Sequence, residues 1–216
     1  MNTRQSAAGE RRIPNALTIA GVDPSGGAGI LADVKAMSAL GAYGCAVIAA
    51  LTAQNTQGVT GISPVPPDFV GLQIDTLFTD VRIDAVKIGM LGQKPVIQVV
   101  AEKLAKWAPA HVVLDPVMVA KSGDLLLERE AVGAMREAML PQATLLTPNL
   151  PEAGVLLEER PVETVKEMRR VAERLRNKMA HSGQRWVMVK GGHLPGNETI
   201  DLSLIHISEP TRQEAI

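Results

Sequence analysis

Apolar residues fall in short continuous runs separated by amphipathic stretches, and the two kinds alternate along most of the chain. "ALTIAGVD" is a short apolar run closed by Gly and Asp, which predicts a buried strand. "GILADVKAMSALG" puts Ile30, Val34, Met37 and Leu40 at helical spacing and stops at Gly41. "GCAVIAALTAQN" predicts a second strand that runs into the polar Gln54 and Asn55. In "PPDFVGLQIDTLFTDV" a Pro and Asp start precedes Phe69, Leu72, Ile74 and Leu77, read as one helix face. "IDAVKIGML", "HVVLDPVM", "ATLLTPN" and "WVMVKGGH" predict further strands. "PVIQVVAEKLAKWA", "REAVGAMREAML", "LPEAGVLL" and "ETVKEMRRVAERLRNKMA" predict helices. In the last, Val165, Met168, Val171, Leu175 and Met179 line one face while Lys and Arg cover the other.

Strands alternating with helices predict an α/β fold, a mostly parallel sheet with helices on both faces and right-handed crossovers. No repeat or linker divides it, so one domain is expected. Ligands of such sheets bind beyond the carboxyl ends of the strands. The predicted strands end in "GVDPSGG", "AQNT", "GML", "DPVM", "TPN" and "KGGH", so polar and glycine residues gather at that edge.

Composition narrows the partners. With 46% hydrophobic and 21% charged residues the 216-residue chain can bury a substantial core. A formal net charge of −1 supplies no field to draw nucleic acid or anionic lipid. Two Trp, one Tyr and two Phe do not make a base-stacking platform. Cys45 is the sole cysteine, which excludes an internal disulfide and a thiolate metal cluster. It sits in the apolar "YGCAVIAAL", where a small buried thiol is expected. "MNTRQSAAGERRIPN" has no apolar core of the signal-peptide kind, and no apolar run reaches membrane-spanning length. The expectation is a cytoplasmic protein without membrane or nucleic-acid partners, with residues 1–13 as a flexible leader.

"AGVDPSGGAGILAD", residues 20–33, is the most glycine-rich stretch and has three readings. As a P-loop it fails, because Gly27 and Ala28 stand where Lys and Ser or Thr are required. Gly27 to Ala32 matches a relaxed dinucleotide fingerprint, but the second strand ends in Ala53, Gln54 and Asn55 without the acidic residue that reading needs. A tight strand-to-helix turn without ligand is the third reading. Asp23 and Asp33 bracket the loop, and Asp33 could complement the helix dipole. In "TPNLPEAGVL", Glu152 falls in a first helical turn, either as a dipole partner or holding hydrated Mg²⁺. Asp115 ends a strand before Pro116, either serving metal or substrate or capping a turn, and Lys190 ends another before two glycines, a combination suited to nucleotide phosphate. Together these strand ends favour phosphoryl transfer by positioning and electrostatics.

The chain closely resembles the hydroxymethylpyrimidine/phosphomethylpyrimidine kinases of thiamine biosynthesis, in the ribokinase-like superfamily. "ALTIAGVDPSGGAGILADVKAMSALGAYGCAVIAALTAQNTQGV", "VKIGML", "VVLDPVMVAKSGD", "LLTPNLPEA" and "VMVKGGH" carry the likeness, which covers about residues 14–195. It implies a three-layer α/β/α sandwich, ATP with Mg²⁺, and successive phosphorylation of the hydroxymethylpyrimidine and of its monophosphate. It places the opening loop on the pyrimidine side, with Gly21 and Asp33 near the hydroxymethyl end. Gln54 would read the ring's amino group and nitrogen, and Met90 and Val117 would pack the ring. Asp115, Thr147, Asn149 and Lys190 would serve ATP and its phosphates, and Glu152 the metal. A homodimer is also implied.

Family members continue to a Gly-Thr-Gly-Cys-Thr-like segment that opens a helix, donates backbone N–H groups to the migrating phosphoryl group and carries the proposed base. No such segment follows His193, and Cys45 matches the "AYGC" of the first stretch instead. The expectation is therefore a kinase domain over residues 14–202 lacking that C-terminal part, with no catalytic base assigned. "SLIHISEPTRQEAI", residues 203–216, reads as a non-native tail. A pyridoxal kinase of the same superfamily, or a pyrimidine-binding module without catalysis, are the alternatives.

Overall fold

A computed structural model describes residues 12–118, 129–180, 183–192 and 200–204. The strands are β1 (Asn15–Val22), β2 (Tyr43–Gln54), β3 (Val59–Pro64), β4 (Ala85–Ile88), β5 (Val112–Leu114), β6 (Leu145–Leu146), β7 (Trp186–Val189) and β8 (Leu202–Leu204). The helices are α1 (Gly29–Ala39), α2 (Pro67–Asp80), α3 (Lys94–Trp107), α4 (Arg129–Ala134), α5 (Leu150–Leu157) and α6 (Val165–Lys178). One eight-stranded sheet runs β3-β2-β1-β4-β5-β6-β7-β8. It is parallel from β2 through β7, with antiparallel β3 and β8 at its edges.

Side-chain parity puts helices on both faces. Successive strand residues point to opposite sides. Leu17 and Ile19 of β1 enter the large core shared with Val70 and Ile74 of α2 and Val96, Ile97 and Val100 of α3. The intervening Thr18 points the other way and hydrogen-bonds Asp33 of α1. Because β1 lies inside the sheet, the direction of the chain reverses around it: β2 is on one side and β4 on the other. The first and later crossovers therefore cover opposite faces.

Every predicted strand and helix has a counterpart, but several details differ. Strand β3 was not expected, since "VTGISP" carries only Val59 and Ile62 as apolar anchors. It forms because the free edge of β2 offers backbone partners. A turn at Asn55 returns the chain, the Asn55 carboxamide accepting from Gln57 N at 2.9 Å and Gly58 N at 3.1 Å. Strand β8 was likewise unexpected, and the boundary drawn after Leu202 falls within it. Leu40 is 88% exposed, because α1 ends one residue before it. In α2 the buried stripe is Val70 and Ile74 with Leu77 packed alongside, while Phe69 and Leu72 face solvent. Val165 is exposed at the start of α6, though Met168, Val171, Leu175 and Met179 are buried as expected. "REAVGAMREAML" is not one α-helix: α4 passes into a π-helical turn at Met135–Met139 and a 3-10 turn at Leu140–Gln142. Met135 and Met139, the first and last residues of the π-helical turn, are both buried. No helix among the described residues is long and apolar enough to cross a membrane. The leader up to residue 11 and the tail from residue 205 lie outside the described residues.

Candidate active site at the carboxyl ends of the strands

The glycine-rich loop between β1 and α1 is folded around one carboxylate. Asp23, nearly buried, accepts from Ser25 N at 2.8 Å, Ser25 Oγ at 2.8 Å and Ala28 N at 3.0 Å. The Ser25 hydroxyl, helped by those backbone N–H groups, holds its carboxyl below the usual range against the opposing effect of burial. The loop closes where Val22 bridges Gly29. Gly29 has φ +56°, and a Cβ there would sit 2.3 Å from Gly21 O, so only glycine fits. Gly21 N donates to Met90 O at 3.1 Å and ties the end of β1 to the end of β4.

Asp33 is the fifth residue of α1, whose first turn contains no acid, so it does not complement the helix dipole as the sequence suggested. Its partners lie in the sheet. Thr18 Oγ donates to Oδ2 at 2.7 Å, and Lys87 Nζ of β4 reaches both carboxylate oxygens at 2.8 Å. At the end of β2 the Thr52 hydroxyl lies 2.8 Å from Val22 O and 3.2 Å from Gln54 Oε1.

These groups surround one cavity of about 700 Å³. All five residues expected on the pyrimidine side, Gly21, Asp33, Gln54, Met90 and Val117, line it, as does Asp115. Asp23 and Lys87 also line it, and Val59 and Ile62 of β3 contribute an apolar wall. The sequence reading missed Lys87 and β3. A lysine inside the apolar "AVKI" was the available signal, because a charge half buried in a sheet requires a partner.

The remaining expected residues gather beside the cavity through Asp115. Lys190 Nζ donates to Asp115 Oδ1 at 2.8 Å, and Thr147 Oγ donates to the same oxygen at 3.2 Å. Lys190 N donates to Pro148 O at 2.8 Å, which joins the ends of β6 and β7. Asn149 and Glu152 form a capping box at the start of α5. Asn149 Oδ1 accepts from Glu152 N at 2.8 Å, and Glu152 Oε2 accepts from Asn149 N at 2.9 Å. Glu152 Oε1 also accepts from Met118 N at 3.4 Å. Burial pushes the Glu152 carboxyl up, opposed by the Asn149 N–H and the nearby Lys190 charge. Thr147, Asn149, Lys190 and Glu152 are absent from the lining of this cavity. The site thus has two parts, a pocket and a charged cluster, with Asp115 common to both. Such a layout suits an acceptor held beside a polyphosphate.

The phosphomethylpyrimidine kinase family model matches residues 23–213. The chain belongs to this family. Over 187 residues it is 54% identical to the hydroxymethylpyrimidine/phosphomethylpyrimidine kinase of Escherichia coli, covering 87% of this chain and 69% of that protein. The crystal structure of phosphomethylpyrimidine kinase from Clostridium difficile superposes with a TM-score of 0.82 at 41% identity, covering 89% of this chain and 80% of the other. An ADP complex of Bacillus subtilis pyridoxal kinase is also similar, with a TM-score of 0.81 at 32% identity over 90% of this chain and 72% of the other. The three-layer, ribokinase-like architecture expected from the sequence is therefore the fold of this family.

Proposed function

We propose that this kinase transfers a phosphoryl group from ATP to the hydroxymethyl group of 4-amino-5-hydroxymethyl-2-methylpyrimidine, and then to the resulting monophosphate. The carrying observation is the single cavity that collects Gly21, Asp33, Gln54, Met90 and Val117, with the Asp115 cluster at its side. The Gln54 carboxamide offers a donor and an acceptor to the ring's amino group and nitrogen. Met90 and Val117 supply apolar contact to the ring faces. Asp33, held by Thr18 and Lys87, accepts a hydrogen bond from the hydroxymethyl O–H and orients its oxygen. Asp115, Thr147, Asn149 and Lys190 position the nucleotide phosphates.

The donor set also fits a hydrated magnesium ion. Asp115 and Glu152 are hard oxygen ligands close enough for each other's charge to be felt, and Mg²⁺ takes one or two carboxylates with waters. Bound there, the ion would neutralise charge on the phosphate oxygens. Glu152 keeps lone pairs available beyond its two backbone hydrogen bonds, and the capping box fixes its direction. Lys190 neutralises Asp115 and orients it. A homodimer is part of the reading, supported by exposed Leu51, Val59 and Ile62 on the β2–β3 edge.

Coupled ADP release tests the proposal with three acceptors: the pyrimidine, its monophosphate and pyridoxal. Turnover of both pyrimidines, abolished by chelation of Mg²⁺, is expected. The likeness to pyridoxal kinases supports a second reading, and turnover of pyridoxal alone would replace the first with it. A folded protein that binds the pyrimidine but releases no ADP would instead leave a binding module.

A further inference from the structure

Among the described residues lining the cavity the charged side chains are Asp23, Asp33, Asp115 and Lys87, so Lys87 is the one cation facing three carboxylates. Asp23 is engaged by its own loop and Asp115 by Lys190. Lys87 grips both oxygens of Asp33, and an ammonium carries three N–H donors. The third has no protein acceptor among the described residues. Its ammonium lies beside Gly89, 3.5 Å from where a Cβ would stand, just past the end of β4, and both residues line the cavity.

This arrangement meets an electrostatic difficulty that two successive acceptors create. The free alcohol is neutral, whereas its phosphomonoester approaches a dianion near neutral pH. A pocket walled by carboxylates would repel the second acceptor unless a cation met it. We infer that Lys87 is the specificity-determining residue that admits the monophosphate, presenting its free N–H to a phosphate oxygen while it stays paired with Asp33. Thr18 keeps Asp33 hydrogen-bonded whichever way the ammonium leans, so the pair can tilt toward phosphate without stranding a buried carboxylate. The inference rests on the two-acceptor reading above and adds the residue that makes one pocket serve both.

Calorimetric titration of the full chain with the hydroxymethylpyrimidine and, separately, with its monophosphate is the test. The readout is the ratio of the two dissociation constants. Lys87→Met should shift that ratio against the monophosphate by about 30-fold, the size of one charge-assisted hydrogen bond. Lys87→Arg should restore most of it. Asp33→Asn should move the ratio in the opposite direction, because it removes a competing negative charge and frees the ammonium. Thermal unfolding of each variant confirms that binding is read on folded protein. A merely structural Lys87 would weaken both ligands together and leave the ratio unchanged, which would overturn the inference alone. Wild-type protein that binds neither pyrimidine would overturn the two-acceptor reading, and the inference with it.

Discussion

Two glycines that flank the β1–α1 loop are glycine for different reasons, and substitution should separate them. A Cβ on Gly29 would meet the Gly21 carbonyl oxygen at 2.3 Å, in a left-handed backbone that side chains resist. Gly29→Ala should cost about 1–3 kcal/mol from the backbone conformation alone, read as a lower denaturant midpoint at unchanged slope. A Cβ on Gly21 would crowd the terminal methyl of Met90, at 2.9 Å, and make ordinary contact with Ala50 O at 3.6 Å. That methyl can swing into the cavity, so Gly21→Ala should weaken pyrimidine binding in calorimetry with little loss of stability. The sequence marks both as loop glycines. Which one guards the fold and which one guards the pocket depends on what stands opposite each, and that is set by β4.

Helix starts and helix contacts carry the next scale. Helices α5 and α6 both begin with a capping box, built on Asn149 with Glu152 and on Thr164 with Glu167. Asn149→Ala and Thr164→Ala should each cost about 1 kcal/mol in urea unfolding. Only Asn149→Ala should also weaken ATP binding, since its box orients the buried Glu152 beside Asp115. Helices α2 and α3 are tied by Asp75, which accepts from Lys103, Trp107 Nε1 and Lys106. Lys103, then Trp107 and Lys106, hold its carboxyl well below the ordinary value of 3.8. A depressed folded value means that this stabilisation is fully present above pH 3.8 and is lost as pH falls below it. The stability gap between wild type and Asp75→Asn should therefore be constant near neutrality and close under acid, as measured by thermal unfolding across pH. Periodicity locates all four of these helices. In α2 it misassigns the inward face, because Phe69 and Leu72 are as apolar as Val70, and only the position of α3 decides between them.

At the scale of the whole molecule the exposed apolar residues of the β2–β3 edge bear on assembly. Light scattering should give twice the chain mass, and Ile62→Asp should shift it to the monomer if that edge is the interface; an unaltered dimer would place the interface elsewhere. The alternation of buried strands and amphipathic helices was legible in the chain, because strands buried on both faces and helices buried on one leave different apolar spacings. Polar and glycine residues at strand ends also marked the side of the sheet where the cavity lies. The edge strands β3 and β8 were not legible: partners waiting on β2 and β7 bring them into the sheet, and Leu202 and Leu204 of β8 pack against the core only once it is there. The same holds for Lys87 and Asp33, 54 residues apart, whose pairing exists only because β4 lies next to β1 and α1 covers that face. Local spacing can show that a lysine needs a partner, but the partner's identity is a fact of strand order, which packing decides.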